Sequence, residues 1–149
     1  MNRRQQIQLT ADEQSEFLRQ PRKAALATIG NDGFPHVVAM NYLAKDGFIY
    51  MTSYGKAQKV LNIRRNPKVA VMVESGQSYA ELRGVMIRGM CELIEDAEVV
   101  ARTMRELAGE QPGGAAPRAA SGSAPKRVLL KIVPQKISSW DHAKLGGKY

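Results

Sequence analysis

Gly30-Asn31-Asp32-Gly33-Phe34-Pro35-His36-Val37-Val38-Ala39-Met40-Asn41-Tyr42-Leu43-Ala44-Lys45-Asp46-Gly47-Phe48-Ile49-Tyr50-Met51-Thr52-Ser53 alternates turn chemistry with apolar runs, and its reading decides the fold. Gly30 to Gly33 and Lys45-Asp46-Gly47 supply turn-forming residues. Phe34 to Leu43 and Phe48 to Ser53 are rich in Val, Ile, Met and Tyr. With the apolar run Lys23 to Ile29 upstream, they predict three consecutive strands joined as a meander, without any crossover. The sheet is therefore expected to be antiparallel.

Working outward, Thr10-Ala11-Asp12-Glu13 has the spacing of a capping box, with Phe17 and Leu18 behind it and Pro21 as a stop, which predicts one short opening helix. From Lys56 to Asn66 the period changes: Ala57, Val60 and Leu61 share a helical face and Pro67 closes the segment. Lys68 to Glu74 returns to a strand pattern, Gly76-Gln77-Ser78 turns, and Glu81 to Ile94 reads as a long strand in which Gly84 and Gly89 mark bulges or bends. Glu95 to Leu107 reads as a helix. Residues 109–125 hold mainly Gly, Ala, Pro and Ser, too little apolar bulk to pack, and are expected to form a mobile loop that is either a lid or a spacer. Val128, Leu130 and Ile132 begin a last strand that reaches Trp140. Six strands with helices between them and no βαβ alternation predict a mainly β (α+β) chain forming one closed or half-closed antiparallel barrel over residues 1–149.

Composition narrows the function. The 149 residues match about one domain. Lys and Arg outnumber Asp and Glu by 22 to 14, a formal net charge of +8, which favours an anionic partner: nucleic acid, acidic lipid or a phosphorylated small molecule. One cysteine, Cys91, excludes an internal disulfide and a Cys-rich metal site, and it reads as a small core residue. Gln5, Gln6 and Gln8 stand where a secretory signal would be apolar, and no run approaches the roughly 18 apolar residues of a membrane helix, so a cytoplasmic location is expected. The phosphate loops of nucleotide-binding folds are missing, and two distant histidines with one cysteine offer no metal set.

Charge is concentrated. Between Asp46 and Glu74 there is no acidic residue, yet Lys56, Lys59, Arg64, Arg65 and Lys68 all lie there. Thr52 and Ser53 end a strand just before the helix carrying Lys56 and Lys59, so hydroxyls, free backbone N–H groups and ammonium groups converge on one anion site. Arg65 and Lys68 read instead as solvated charges. His36 reads as structural rather than catalytic, and no nucleophile elbow occurs. Trp140 either closes a barrel mouth or stacks on a planar ligand.

The ordered set Pro35-His36-Val37-Val38-Ala39-Met40, Ile49-Tyr50-Met51-Thr52-Ser53, Lys59 and Asn62-Ile63-Arg64-Arg65-Asn66-Pro67-Lys68-Val69 resembles the pyridoxamine 5′-phosphate oxidase-like flavoprotein superfamily. Tyr79 to Gly89 and Ser139 to Gly147 look like its actinobacterial branch of deazaflavin-dependent oxidoreductases. The resemblance implies a split β-barrel of Greek-key type with flanking helices, a homodimer, and two cofactor sites at the subunit interface. It implies that His36, Val37, Val38, Ala39, Met40 and Asn41 run beside the ring. Tyr50, Met51, Thr52 and Ser53 would meet the ribityl phosphate region, and Lys59, beside Gln58, would bind phosphate. His36 stands where pyridoxamine phosphate oxidases carry a phosphate-binding Arg, and Lys144 to Tyr149 do not match their substrate-binding tail. Vitamin B6 oxidation is therefore not expected, and Lys56, Lys59 and Arg64 are expected to line a groove for the longer anionic tail of coenzyme F420.

The resulting expectation is an oxidoreductase that uses F420 to pass a hydride to a small organic acceptor, with no catalytic residue assigned and a proton from solvent, His36 or Tyr79. FMN on the same fold is the alternative, and a nonenzymatic carrier of a cofactor or heme-breakdown product is the second. Nucleic-acid binding is disfavoured, because most of the aromatics alternate into predicted strands rather than interleaving with the basic residues.

Overall fold

The computed structural model describes residues 2–109 and 126–148. The loop expected at 109–125 lies, Gly109 apart, outside the described residues. Two short helices open the chain, α1 (Arg3–Gln6) and α2 (Ala11–Arg19). The α2 cap follows the sequence signal: Glu13 N–H donates to Thr10 Oγ1 at 3.2 Å and Thr10 N–H donates to Glu13 Oε1 at 3.1 Å. Its Phe17 ring is buried in the core. The α1 turn, capped in the same reciprocal way by Asn2 and Gln5, is an element the sequence reading missed.

Seven strands follow: β1 (Lys23–Ile29), β2 (Pro35–Asn41), β3 (Leu43–Lys45), β4 (Phe48–Tyr54), β5 (Lys68–Ser75), β6 (Arg83–Ile94) and β7 (Arg127–Asp141). Helix α3 (Gln58–Arg65) precedes β5, and α4 (Ala97–Leu107) joins β6 to the residues before β7. All pairings are antiparallel, in the order β2-β1-β5-β6-β7-β4-β3. The two outermost strands, β2 and β3, are separated only by Tyr42, so the sheet must curl until its edges meet there. This is a split β-barrel with flanking helices. The extra strand arises because Tyr42 breaks the run read as one: Asn41 pairs with Lys23 on β1, whereas Leu43 pairs with Tyr50 on β4. Asp46 and Gly47, at φ 53° and 82°, make the two-residue turn that joins Lys45 to Phe48.

Inside the barrel Leu26, Ile49, Met51, Val71, Val85, Ile87, Leu130 and Ile132 form one core. Gly89 sits at the register shift of the β6–β7 pair, opposite the extra residue Gln135 on β7, and the strands approach closely there: a Cβ on Gly89 would lie 2.2 Å from the Val133 carbonyl oxygen. Gly84 keeps regular register instead. Its missing side chain is the space that the Trp140 ring occupies.

The two ends of the chain lock each other. Leu9 N–H donates to Ser139 Oγ at 3.0 Å, Asp141 N–H donates to the Ile7 carbonyl at 2.7 Å, and Lys144 Nζ donates at 2.8 Å both to the Gln8 carbonyl and to Glu13 Oε1. The Lys144 bond, then the Thr10 N–H, hold the Glu13 carboxyl down from its ordinary 4.5 to about 2. A depressed folded-state pKa adds stability above pH 4.5 that fades as pH falls toward 2. Solvent reaches this pair, so the effect is small. Acid unfolding curves of wild type and Lys144→Met should converge across that window; a gap that stays constant from neutral pH to pH 2 would contradict the linkage.

Candidate functional site

The site follows from how little of β4 is covered. β3 has only three residues, so beyond Tyr50 the edge of β4 facing away from β7 has no partner strand among the described residues. Among them β2 likewise pairs with β1 alone. Two free strand edges therefore diverge from Tyr42, each with backbone donors and acceptors turned toward the gap. Tyr54, Gly55 and Lys56 then lead into α3, whose Ala57 N-cap provides no side-chain acceptor for the first-turn N–H groups.

β2 presents Val37, Ala39 and Asn41 outward; His36, Val38 and Met40 turn the other way, the last two packing against the core. On β4, Tyr50 and Thr52 are half-buried on the outer side, with the Tyr50 ring edge-on to Phe48 at 6.3 Å. Met51 and Ser53 are buried, Met51 at 0% exposure within the core, so Met51 can meet a ligand only through its backbone. The His36 Nδ1 atom is buried without a hydrogen-bond partner among the described residues, an exposed cost that a bound ligand or water would relieve.

A polar chain anchors α3 beneath this gap. Gln58 Nε2 donates to Asn62 Oδ1 at 2.8 Å, and the fully buried Asn62 donates through Nδ2 to Thr28 Oγ1 at 3.0 Å. Arg65, read from sequence as a solvated charge, donates to Asn62 Oδ1 and to the Ile29 carbonyl and so ties α3 to β1. Lys56 is exposed and Lys59 half-buried, and neither forms an ion pair among the described residues. Arg64 is different: its guanidinium pairs with Glu95, so it is not a free third cation beside them.

Where the two edges part, Ala39, Met40, Asn41 and Thr52 line one groove of about 400 Å³, together with Lys23 and Arg127. Sequence reading missed the last two. Lys23 was within reach of it, because hairpin register counted back from Gly30–Gly33 sets Lys23 opposite Asn41. Arg127 was not, since only the long-range β4–β7 pairing sets it opposite Tyr54.

Trp140 does not close the barrel mouth. It lies on the outer sheet face against Gly84, with Nε1 donating to Glu74 Oε2 at 2.9 Å, and does not line the groove. Cys91 is buried, and burial pushes its thiol up to about 12, which keeps it unreactive near neutral pH. Among the described residues no group of His, Cys, Asp and Glu is placed to hold a metal, and no helix is long and apolar enough to cross a membrane.

A curled antiparallel sheet split between β2 and β4, with hydroxyls and lysines at one end of the gap, defines the split-barrel class. The chain belongs to the pyridoxamine 5′-phosphate oxidase family, whose pattern matches residues 10–141. It is similar to the conserved hypothetical protein Rv2991 of Mycobacterium tuberculosis, at 35% identity and a TM-score of 0.85, over 100% of this chain and 95% of that one. An F420 reductase is similar at 27% identity and a TM-score of 0.67, covering 83% of this chain and 94% of its own. A FAD-binding protein of Mesorhizobium loti follows at 25% identity and 0.65, covering 88% and 94%. No curated protein matches the chain.

Proposed function

We propose that this protein is an oxidoreductase that binds coenzyme F420 in the gap between β2 and β4 and passes a hydride from it to a small organic acceptor. The observation that carries this reading is the pair of open strand edges ending at two lysines without ion-pair partners among the described residues, Lys56 just before α3 and Lys59 in its first turn. A flat heteroaromatic ring suits edge donors and acceptors, and a phosphate suits a helix start with ammonium groups. The residues present fit such a cofactor. Lys59, Lys56 and the α3 N–H groups would hold the phosphate, with Ser53 and the partnerless His36 Nδ1 on the same side of the gap. The β2 edge from Val37 to Asn41 would flank the ring. When bound, the cofactor supplies a ring that carries a hydride; the chain orients it and excludes water.

A second copy completes the site. The outer face of β2, β1 and β5 is built of Val37, Ala39, Ala25, Ala27, Ala70 and Met72, with Val37 60% and Met72 42% exposed in the single chain. A contiguous apolar face of this kind calls for cover. Val37→Lys should convert a dimer to monomer in sedimentation and weaken cofactor binding with the fold intact; an unchanged dimer would contradict this face as the interface.

FMN is the second reading, supported by the family matched and by the similar FAD-binding protein. Anaerobic addition of enones or quinones to protein with reduced F420 tests the first reading. Return of the oxidised cofactor spectrum only with active protein supports it. Return only with FMN and oxygen would select the second, and binding without any turnover the carrier.

A further inference from the structure

The groove at the foot of the gap has a charge and shape of its own. Lys23 and Asn41 are cross-strand neighbours on the outer face of the β1–β2 hairpin, and Thr52 faces them from β4. Arg127 enters from β7 and is pinned: its guanidinium lies 4.5 Å over the Tyr54 ring and donates through Nη2 to Tyr54 Oη at 3.1 Å. The Lys23 ammonium forms no hydrogen bond or ion pair among the described residues. The remaining wall is the last turn of α4, with Met104 and Leu107, and Met40 adds to the apolar side. Among the described residues no acidic side chain lines the groove. Glu106, the carboxylate of that helix turn, is held by Lys45 at 3.0 and 3.2 Å. The α4 C-terminus contributes about half a negative charge, which offsets only part of two full cations. The groove is thus apolar along one side and cationic along the other.

We infer that this groove is the acceptor subsite and that it selects molecules joining an apolar body to a carboxylate, the carboxylate set between Lys23 and Arg127 and the body against Met104 and Leu107. The inference rests on the cofactor lying in the adjoining gap, and it names the acceptor's chemistry. A preset guanidinium loses little freedom on binding, so Arg127 supplies direction and Lys23 supplies charge. The same carboxylate chemistry has a second source, the anionic tail of F420 itself, and the experiment separates the two.

The test uses the full chain without cofactor and a matched pair of probes, 2-naphthoate and 2-naphthamide, followed by amide NMR shifts. The acid should move the signals of Lys23, Asn41, Thr52 and Leu107 and bind about tenfold tighter than the amide. Lys23→Met, an exposed substitution that leaves the fold alone, should remove most of that preference, and Arg127→Met should do the same provided its unfolding midpoint is unchanged. Equal binding of acid and amide, shifts confined to other residues, or no binding of either would overturn the subsite. In a second arm, FMN and F420 affinities should be the same for Lys23→Met as for wild type. A loss for F420 alone would assign the groove to the cofactor's tail and overturn the acceptor role. Failure of wild type to bind either cofactor would instead strike the proposed function, while the probe result would still report on the groove.

Discussion

Lys59→Ala is expected to weaken binding of a phosphate-bearing cofactor by about ten- to a hundredfold, the range for losing one charge-assisted hydrogen bond of roughly 1.5–3 kcal/mol. The expectation comes from position and vacancy. Lys59 stands in the first turn of α3, half-buried, with no acidic partner among the described residues, so its ammonium is available and partly shielded from solvent. Arg64→Ala removes the same unit of charge from the same helix, but its guanidinium is already engaged by Glu95. That variant should change affinity by less than about threefold, as surface pairs and screened charges do. Titration of both variants by cofactor fluorescence checks the claim. Equal losses would mean that net charge alone drives binding, and the phosphate assignment to Lys59 would fall. Because Lys59 supports no core contact, its unfolding midpoint should stay at the wild-type value.

Gly89→Ala should be severely destabilising for a change of one methyl group. The added Cβ would stand 2.2 Å from the Val133 carbonyl oxygen, 2.9 Å from its carbon and 3.2 Å from Pro134 Cα. All three are backbone atoms, so no side-chain rotation relieves the clash. The strands can separate only by giving up the register shift that bends β6 against β7, the most extensive pairing in the sheet. A loss above about 4 kcal/mol is expected, beyond the range of ordinary substitutions. Gly55→Ala is the control: its Cβ would meet Lys126 O at 3.5 Å and Val128 Cγ1 at 3.6 Å, ordinary contact distances. Urea unfolding should place Gly55→Ala within about 1 kcal/mol of wild type. A Gly89→Ala protein as stable as the control would contradict the close approach of β6 and β7.

Much of the fold was legible because its signals are local. Asp46-Gly47 specifies its own turn, Thr10 and Glu13 cap α2 from within four residues, and strand alternation separates Val37 and Ala39 from Val38 and Met40. The partner switch at Tyr42 was not legible. Nothing in Phe34 to Leu43 marks the residue at which the strand leaves β1 for β4, since that point depends on how far the sheet curls. Gly84 shows the same limit: sequence read it as a bulge or bend, whereas it keeps register and makes room for a ring 56 residues later in the chain. For the site, the basic run drew attention to Lys56, Lys59 and Arg64 alike, and charge alone did not distinguish Arg64, which pairs with Glu95, from the other two. Lys23 and Arg127 come together only through tertiary pairing, from opposite ends of the chain.

The central claim is that the gap between the β2 and β4 edges holds a deazaflavin through the start of α3. Equilibrium titration of the purified protein with F420 and with FMN, side by side at two salt concentrations, tests it most directly. F420 should bind saturably and more tightly than FMN, with an affinity that weakens moderately with salt and is reduced by Lys59→Ala. Binding of neither ligand, or F420 binding indifferent to Lys59, would contradict it.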